Sequence, residues 1–281
     1  MLIFLYRILI NTVLLISPLI IIIRIFNKKE HPNRFAEKIG IIKKNKNFSK
    51  LVWFHGSSVG EILSIVPLIE KLEKRKEVKK ILVTSNTLSS SKVLEKFKFK
   101  KTIHQFYPID VNFISKNFIK HWNPSVALFV ESEIWPNMIL NLKKRKIPIV
   151  LLNARITRKS FNKWKKLPLF SNSIFNKFNI CLSQNDETMQ YLKKLGGTNI
   201  KKIGNLKFSE TSLQANNSLN IMQEKFLKKK KIFFGGISTH RSEEIFCAKI
   251  HINLKKKYDK GITIIVPRHI HRSLIIKDQI E

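Results

Sequence analysis

Residues 51–61 read LVWFHGSSVGE, and this stretch decides the fold. A short apolar, aromatic-rich run stops at a glycine and two serines. From Val59 to Lys76, Ile62, Ile65, Val66, Ile69 and Leu72 then recur on one helical face. This is a strand feeding a helix. Further β-rich runs follow at about the spacing of one βα unit: KILVTS from Lys80, TIHQFYP from Thr102, SVALFV from Ser125, IPIVLLN from Ile147 and NICLS from Asn179. Helix-like stretches lie between them, so the sequence predicts an α/β fold with a parallel sheet covered by helices. From about Glu210 to Lys231 the pattern fades into TSLQANNSLN and a lysine run. A new βαβ unit then begins at KIFFGG and runs through GITIIVPRH. We read this as a domain boundary: a first Rossmann-like domain over 27–210, a linker over 211–230 and the beginning of a second Rossmann-like domain over 231–281.

Ahead of the first domain, ILINTVLLISPLIIII from Ile8 to Ile23 carries no charge, and apolar sequence extends to Met1 and Phe26. That is nearly one bilayer span. Arg24, Lys28 and Lys29 follow where a cleaved signal peptide would have small residues, so residues 1–26 are expected to be an uncleaved membrane anchor. The cationic flank places the following domain on the cytoplasmic side. Arg7 and Pro18 weaken the span, which leaves open a helix lying in the interface.

The 281 residues are 43% hydrophobic, enough for one substantial core and part of a second. Lys and Arg number 53 against 19 acids, a formal charge of +34 that attracts phosphates, anionic lipid or nucleic acid. Most of these cations are lysines dispersed along a chain also rich in Ile and Asn, as a general composition bias would give. No recognition helix or RNA-binding module accompanies them, so no nucleic-acid partner is expected. Cys181 and Cys247 lack CxxC or metal-ligand spacing, and neither a disulfide framework nor a metal site is indicated.

In open parallel sheets, ligands bind beyond the carboxyl ends of the strands. After LVWFHG, Ser57 or Ser58 is placed to cap a helix, Gly60 permits close approach, and Glu61 falls in the first turn. There the helix N-terminus is expected to keep it ionised as a proton acceptor, with simple capping as the alternative role. After SVALFV, the ESEIWPN stretch sets Glu131 and Glu133 at a strand end with Pro136 opening a helix; capping is again the alternative. Lys207 follows a Gly-Asn turn in GNLKFS and suits a phosphate or a negative transition state. GGISTHRSEE offers the glycines, hydroxyls and helix start of a phosphate cradle, without a Walker or Rossmann fingerprint.

Taken in order, WFHGSSVGE, VTSNTLSSS, YPIDV, WNPSVALFVESEIWPN, IPIVLLNARIT, GNLKFS, GISTHRSEE and VPRHIHR resemble blocks of the 3-deoxy-D-manno-octulosonic acid (Kdo) transferases of lipopolysaccharide synthesis, over roughly Leu51 to Arg272. The resemblance implies a two-domain glycosyltransferase of the GT-B type with an N-terminal anchor and no cofactor. It implies an inverting transfer of Kdo from CMP-Kdo to a lipid A precursor. Under it Glu61 is the proton acceptor, Glu131 and Lys207 support the transition state, and Arg268 and His269 contact CMP. A complete second domain is expected to extend well past VPRHIHR. The chain is therefore expected to be incomplete at its C-terminus, as a fragment, a truncated product or half of a split enzyme. The alternative function is a noncatalytic membrane-associated remnant or partner subunit.

Overall fold

The computed structural model describes residues 2–41, 50–208, 221–229, 232–268 and 272–280, with the side chains of 208, 221, 223, 232 and 233 excepted. The chain divides into two compact units, Met1–Ser212 and Leu213–Glu281.

In the first unit seven strands form one sheet: β1 (Leu51–His55), β2 (Lys80–Ser85), β3 (Thr102–Phe106), β4 (Val126–Val130), β5 (Ile149–Ala154), β6 (Ile180–Ser183) and β7 (Ile200–Lys202). Their order is β3-β2-β1-β4-β5-β6-β7, and every pair is parallel. Among the described residues this unit has eight α-helices: α1 (Leu2–Phe26), α2 (Val59–Glu73), α3 (Leu88–Glu95), α4 (Asn112–Trp122), α5 (Pro136–Lys144), α6 (Arg158–Lys165), α7 (Pro168–Phe175) and α8 (Asp186–Leu195). The central strands β1, β2, β4 and β5 are nearly continuous apolar runs because both faces are covered. Trp53 points to the face shared with Leu82, Phe118, Phe129, Leu142 and Phe175. Its neighbour Phe54 points to the other, against Ile62, Ile65, Ile69, Val83 and Val130. Strand order reverses between β1 and β4, which opens a crevice at their carboxyl ends.

The six β-rich runs read from sequence are β1 to β6. Strand β7 was not among them: it has three residues, two of them lysine, at the sheet edge. Helix α1 is long and apolar enough to cross a membrane by length and composition. Along it, however, residues 3, 6, 7, 10, 14, 17, 21 and 24 are at least partly covered at helical spacing, and Ser17 and Ile21 are buried. One stripe of α1 thus rests on the rest of the unit. Tyr6 Oη donates to Asp110 Oδ2 at 2.8 Å, and Arg7 Nε donates to Asn137 Oδ1 at 3.0 Å. At the other end Glu30 holds both Arg24 (3.2 Å) and Lys38 (2.6 Å).

In the second unit α9 (Ile221–Lys228) precedes a parallel pair, β8 (Ile232–Thr239) and β9 (Gly261–Pro267), joined through α10 (Glu243–Lys257) and followed by α11 (Ser273–Ile280). Helix α9 falls within the stretch read as a linker.

Candidate active site

Glu61 is fixed by its own loop. Ser58, in extended backbone, caps α2: its hydroxyl accepts from Glu61 N at 3.3 Å and donates to Glu61 Oε1 at 2.8 Å. Ser57 N donates to Glu61 Oε2 at 2.8 Å, so residues 57–61 make a reciprocal capping arrangement. Both carboxylate oxygens keep lone pairs for a further proton. Burial raises the pKa of Glu61; the Ser58 hydrogen bond opposes it, Glu133 pushes it up again, the Ser57 amide lowers it and Glu131 raises it, with a net upward shift. The helix N-terminus is therefore not the only influence on its ionisation. Burial and two neighbouring carboxylates outweigh the amides at the cap.

Glu131 follows β4 in left-handed backbone, φ 55°. Its amide donates to Leu152 O at 2.9 Å and its carbonyl accepts from Arg155 N at 3.4 Å, which pins this uncommon conformation between strands. The nearly buried carboxylate lies 2.7 Å from Lys207 Nζ, an ion pair rather than a well-aligned hydrogen bond. Lys207 reaches it from the short 3₁₀ turn Leu206–Phe208, entered through Gly204 at φ 82°. Asn153, at the end of β5 with φ 52°, accepts from Leu206 N at 3.0 Å, and Asn205 Oδ1 accepts from Lys207 N at 3.0 Å. A Cβ at position 60 would lie 3.7 Å from both Cε and Nζ of Lys207. The lysine therefore passes directly over the start of α2, and Glu61, Glu131 and Lys207 converge at the crevice from three separate loops.

A third acid, Glu133, stands beside them. Its Oε2 accepts from Trp135 Nε1 at 2.8 Å and lies 3.0 Å from Nε2 of the fully buried His55. His55 Nδ1 faces the Thr84 carbonyl at 3.2 Å, and Tyr107 stacks on the ring with centroids 3.8 Å apart. Nε2 also faces the Trp135 indole N–H, which donates toward it at 3.1 Å, so Trp135 Nε1 is shared between the ring and Glu133. Burial pushes Glu133 up, but His55, Trp135 and Ser57 outweigh it and hold the carboxyl below its ordinary value. Neither Glu131 nor Glu133 caps α5. That role falls to Asp110, which accepts from Asn137 N and Met138 N at 2.8 Å each. The capping alternative for the two glutamates is thereby replaced by a residue from the loop after β3. The sequence signal for Asp110 is only its place in YPIDV, and that for Asn153 only an amide at a strand end, where left-handed backbone is tolerated.

In the second unit Arg268 is exposed just past β9, its amide donating to Thr239 O at 3.1 Å. His269 lies outside the described residues. The start of α10, read as a phosphate cradle, is held by the protein's own carboxylates: Glu243 accepts from His240 N at 2.7 Å, and the buried Glu244 binds Arg272 through both oxygens at 3.0 and 3.2 Å. Among the described residues no group of three His, Cys, Asp or Glu side chains stands together as metal ligands.

Residues 33–210, which contain Glu61, Glu131 and Lys207, match the family model described as 3-deoxy-D-manno-octulosonic-acid transferase (kdotransferase). The chain belongs to the Kdo transferase family. It is 35% identical over 259 residues to the 3-deoxy-D-manno-octulosonic acid transferase of Rickettsia bellii, covering 92% of this chain and 62% of that one. To the transferase of the same description from Haemophilus influenzae it is 26% identical over 230 residues, covering 81% and 54%. The chain thus spans little more than half the length of these curated relatives. Among solved structures it resembles UDP-GlcNAc 2-epimerase from Neisseria meningitidis bound to UDP-GlcNAc, with a TM-score of 0.58 at 16% identity over 83% of this chain and 69% of that one. At that identity the likeness concerns the fold alone, and it supports the GT-B architecture expected from sequence.

Proposed function

We propose that this chain supplies the acceptor side of an inverting transferase that moves Kdo from CMP-Kdo to a lipid A precursor. Glu61 takes the proton of the acceptor hydroxyl as its oxygen attacks the anomeric carbon. The bond from that carbon to the CMP phosphate oxygen breaks, and its electron pair leaves with CMP. Attack opposite the leaving group inverts the centre without a covalent enzyme intermediate. Lys207, oriented by Glu131, meets negative charge as it develops, and a preorganised cation needs no rearrangement to do so. In the second domain Arg268 and His269 are the proposed contacts to CMP. The apolar helix α1 is proposed to hold the protein at the inner membrane, facing the cytoplasm.

The observation that carries this reading is the convergence of Glu61 with the Lys207–Glu131 pair at the point where strand order reverses. Glu133, held ionised beside them, lifts Glu61 toward the range where a general base is most effective. The test is transfer from CMP-Kdo to a lipid A precursor, followed by mass spectrometry. It uses the chain alone and the chain joined to the part of the Rickettsia bellii relative beyond the matched region. Formation of the Kdo-bearing lipid in the joined protein is expected. Failure of both proteins, when the intact relative is active in the same assay, would refute the reading.

A further inference from the structure

Twelve large apolar side chains of α1 are exposed, among them Leu5, Leu9, Leu15, Leu19, Ile23 and Phe26. So large an unpartnered patch requires a cover. A helix of this length runs about 37 Å, and it is fastened to the same unit near both ends, by Tyr6 and Arg7 and by Arg24. For such a helix to stand across a bilayer, Asp110, Asn137 and the sheet behind them would have to enter hydrocarbon, where neither buried charge nor open sheet edges are tolerated. Lying flat, it places the outward face in the leaflet and the sheet in water.

At the end of that face is a recess of about 410 Å³, bordered by Arg24, Lys28 and Lys29 on one side and by Thr87, Ser89 and Lys92 at the start of α3 on the other. Arg24 is paired with Glu30, whereas Lys28, Lys29 and Lys92 have no carboxylate within ion-pair distance among the described residues. Three uncompensated ammonium groups around one cavity repel each other until an anion enters. The recess begins where the apolar run stops, at Phe26. An anion held there sits at headgroup depth.

We propose that α1 lies in the plane of an anionic leaflet and that this recess seats the phosphate of a lipid headgroup. The proposal rests on the membrane reading of α1 given above and specifies its geometry and its lipid contact. The wall of the recess is tied to the active site: Asn86 donates to the Ser57 hydroxyl and Ser90 Oγ donates to Ser57 O at 3.2 Å, while Ser57 itself holds Glu61. The seated headgroup therefore brings the leaflet to the side of the unit where a lipid alcohol must reach Glu61.

Flotation of the full chain with vesicles of phosphatidylcholine, alone or mixed with phosphatidylglycerol, tests this. Replacing Lys28, Lys29 and Lys92 together by Ala should lower partition onto the anionic vesicles on the order of a hundredfold and leave binding to neutral vesicles unchanged. The control replaces Lys143, Lys144 and Lys193 by Ala; these lie in the last turns of α5 and α8, do not border the recess, and should cost only a few-fold. Equal losses from the two triple variants would overturn the headgroup site. So would displacement from anionic vesicles by inorganic phosphate at the same phosphate concentration, which would make the recess a site for the free anion. Leu9→Gln/Leu15→Gln/Leu19→Gln, checked for helix content by circular dichroism, should weaken binding to both vesicle types, and undiminished binding would overturn the in-plane geometry. A chain that floats with neither vesicle would instead refute the membrane reading itself.

Discussion

Asn153 and Glu131, at the carboxyl ends of β5 and β4, both hold left-handed backbone, and both act on Lys207. Asn153 fixes the turn that carries the lysine; Glu131 fixes its ammonium. Replacing Asn153 by Ala removes the acceptor for Leu206 N and leaves a Cβ residue at φ 52° without a local hydrogen bond. Stability should fall by about 1–3 kcal/mol in chemical denaturation, and turnover of the joined enzyme should fall with it. Asn153→Asp keeps the acceptor oxygen and should recover much of both. Lys207→Met keeps the stem over Gly60 but not the charge. It should lower kcat by about 10²- to 10³-fold and, by leaving the nearly buried Glu131 carboxylate unpaired, lower the melting temperature as well. The shift on Glu61 has a definite sign in kinetics. The base works ionised, so the rate rises with pH through its titration, and its raised pKa sets the acid limb above the ordinary carboxylate range. Glu133→Gln removes one of the charges that raise it, so the acid limb of kcat/KM should move to lower pH. A limb that stays in place would show that Glu133 does not act on the base.

Helix α5 is capped from outside its own segment. Asp110 is buried, accepts from Tyr6, Asn137 and Met138 at 2.8 Å and from Ser115 at 3.2 Å, and still titrates at about 6 because burial outweighs those donors. With a folded pKa above the unfolded one, the native state binds the extra proton. This group's contribution is full below the unfolded carboxyl value and is lost as pH rises through 6. In urea titrations between about pH 4 and 7, Asp110→Asn should remove that component of the pH dependence, and an unchanged slope would refute it. The element-level reading of the sequence succeeded where the signal is local. Six of the seven strands described in the first unit are short β-rich runs, and the Ser58–Glu61 cap is written as S-x-x-E within one turn. It failed where the partners are distant: His55 and Glu133 stand 78 residues apart, and Asp110 lies 27 from the amide of Asn137. No periodicity reports such pairs. Strand β7 escaped because an edge strand of one isoleucine and two lysines carries no apolar run.

At the scale of the molecule, the first unit combines the proposed Glu61, Glu131 and Lys207 group with an apolar helix, on a chain carrying a formal charge of +34. Charge and helix hold to membranes by different physics, and salt separates them because only the former is screened. Removing residues 2–26 should release the protein from membranes in high salt, while the full chain stays bound. Recovery of both forms in the soluble fraction would refute anchoring by α1. In the joined enzyme, Arg268→Ala should weaken CMP binding measured by calorimetry more than Lys201→Ala does, because a phosphate contact inside a formed pocket is charge-assisted and an exposed surface lysine is not.

The central claim is that Glu61 takes the proton, and Glu61→Gln tests it on a single preparation of the joined enzyme. The amide is nearly isosteric and still accepts from Ser57 N, so the fold, CMP affinity and melting temperature should be close to those of the parent. It cannot take the acceptor's proton, so turnover should fall by about 10²- to 10⁴-fold. Near-normal turnover together with a stability loss of about 1 kcal/mol would show instead that Glu61 only caps α2.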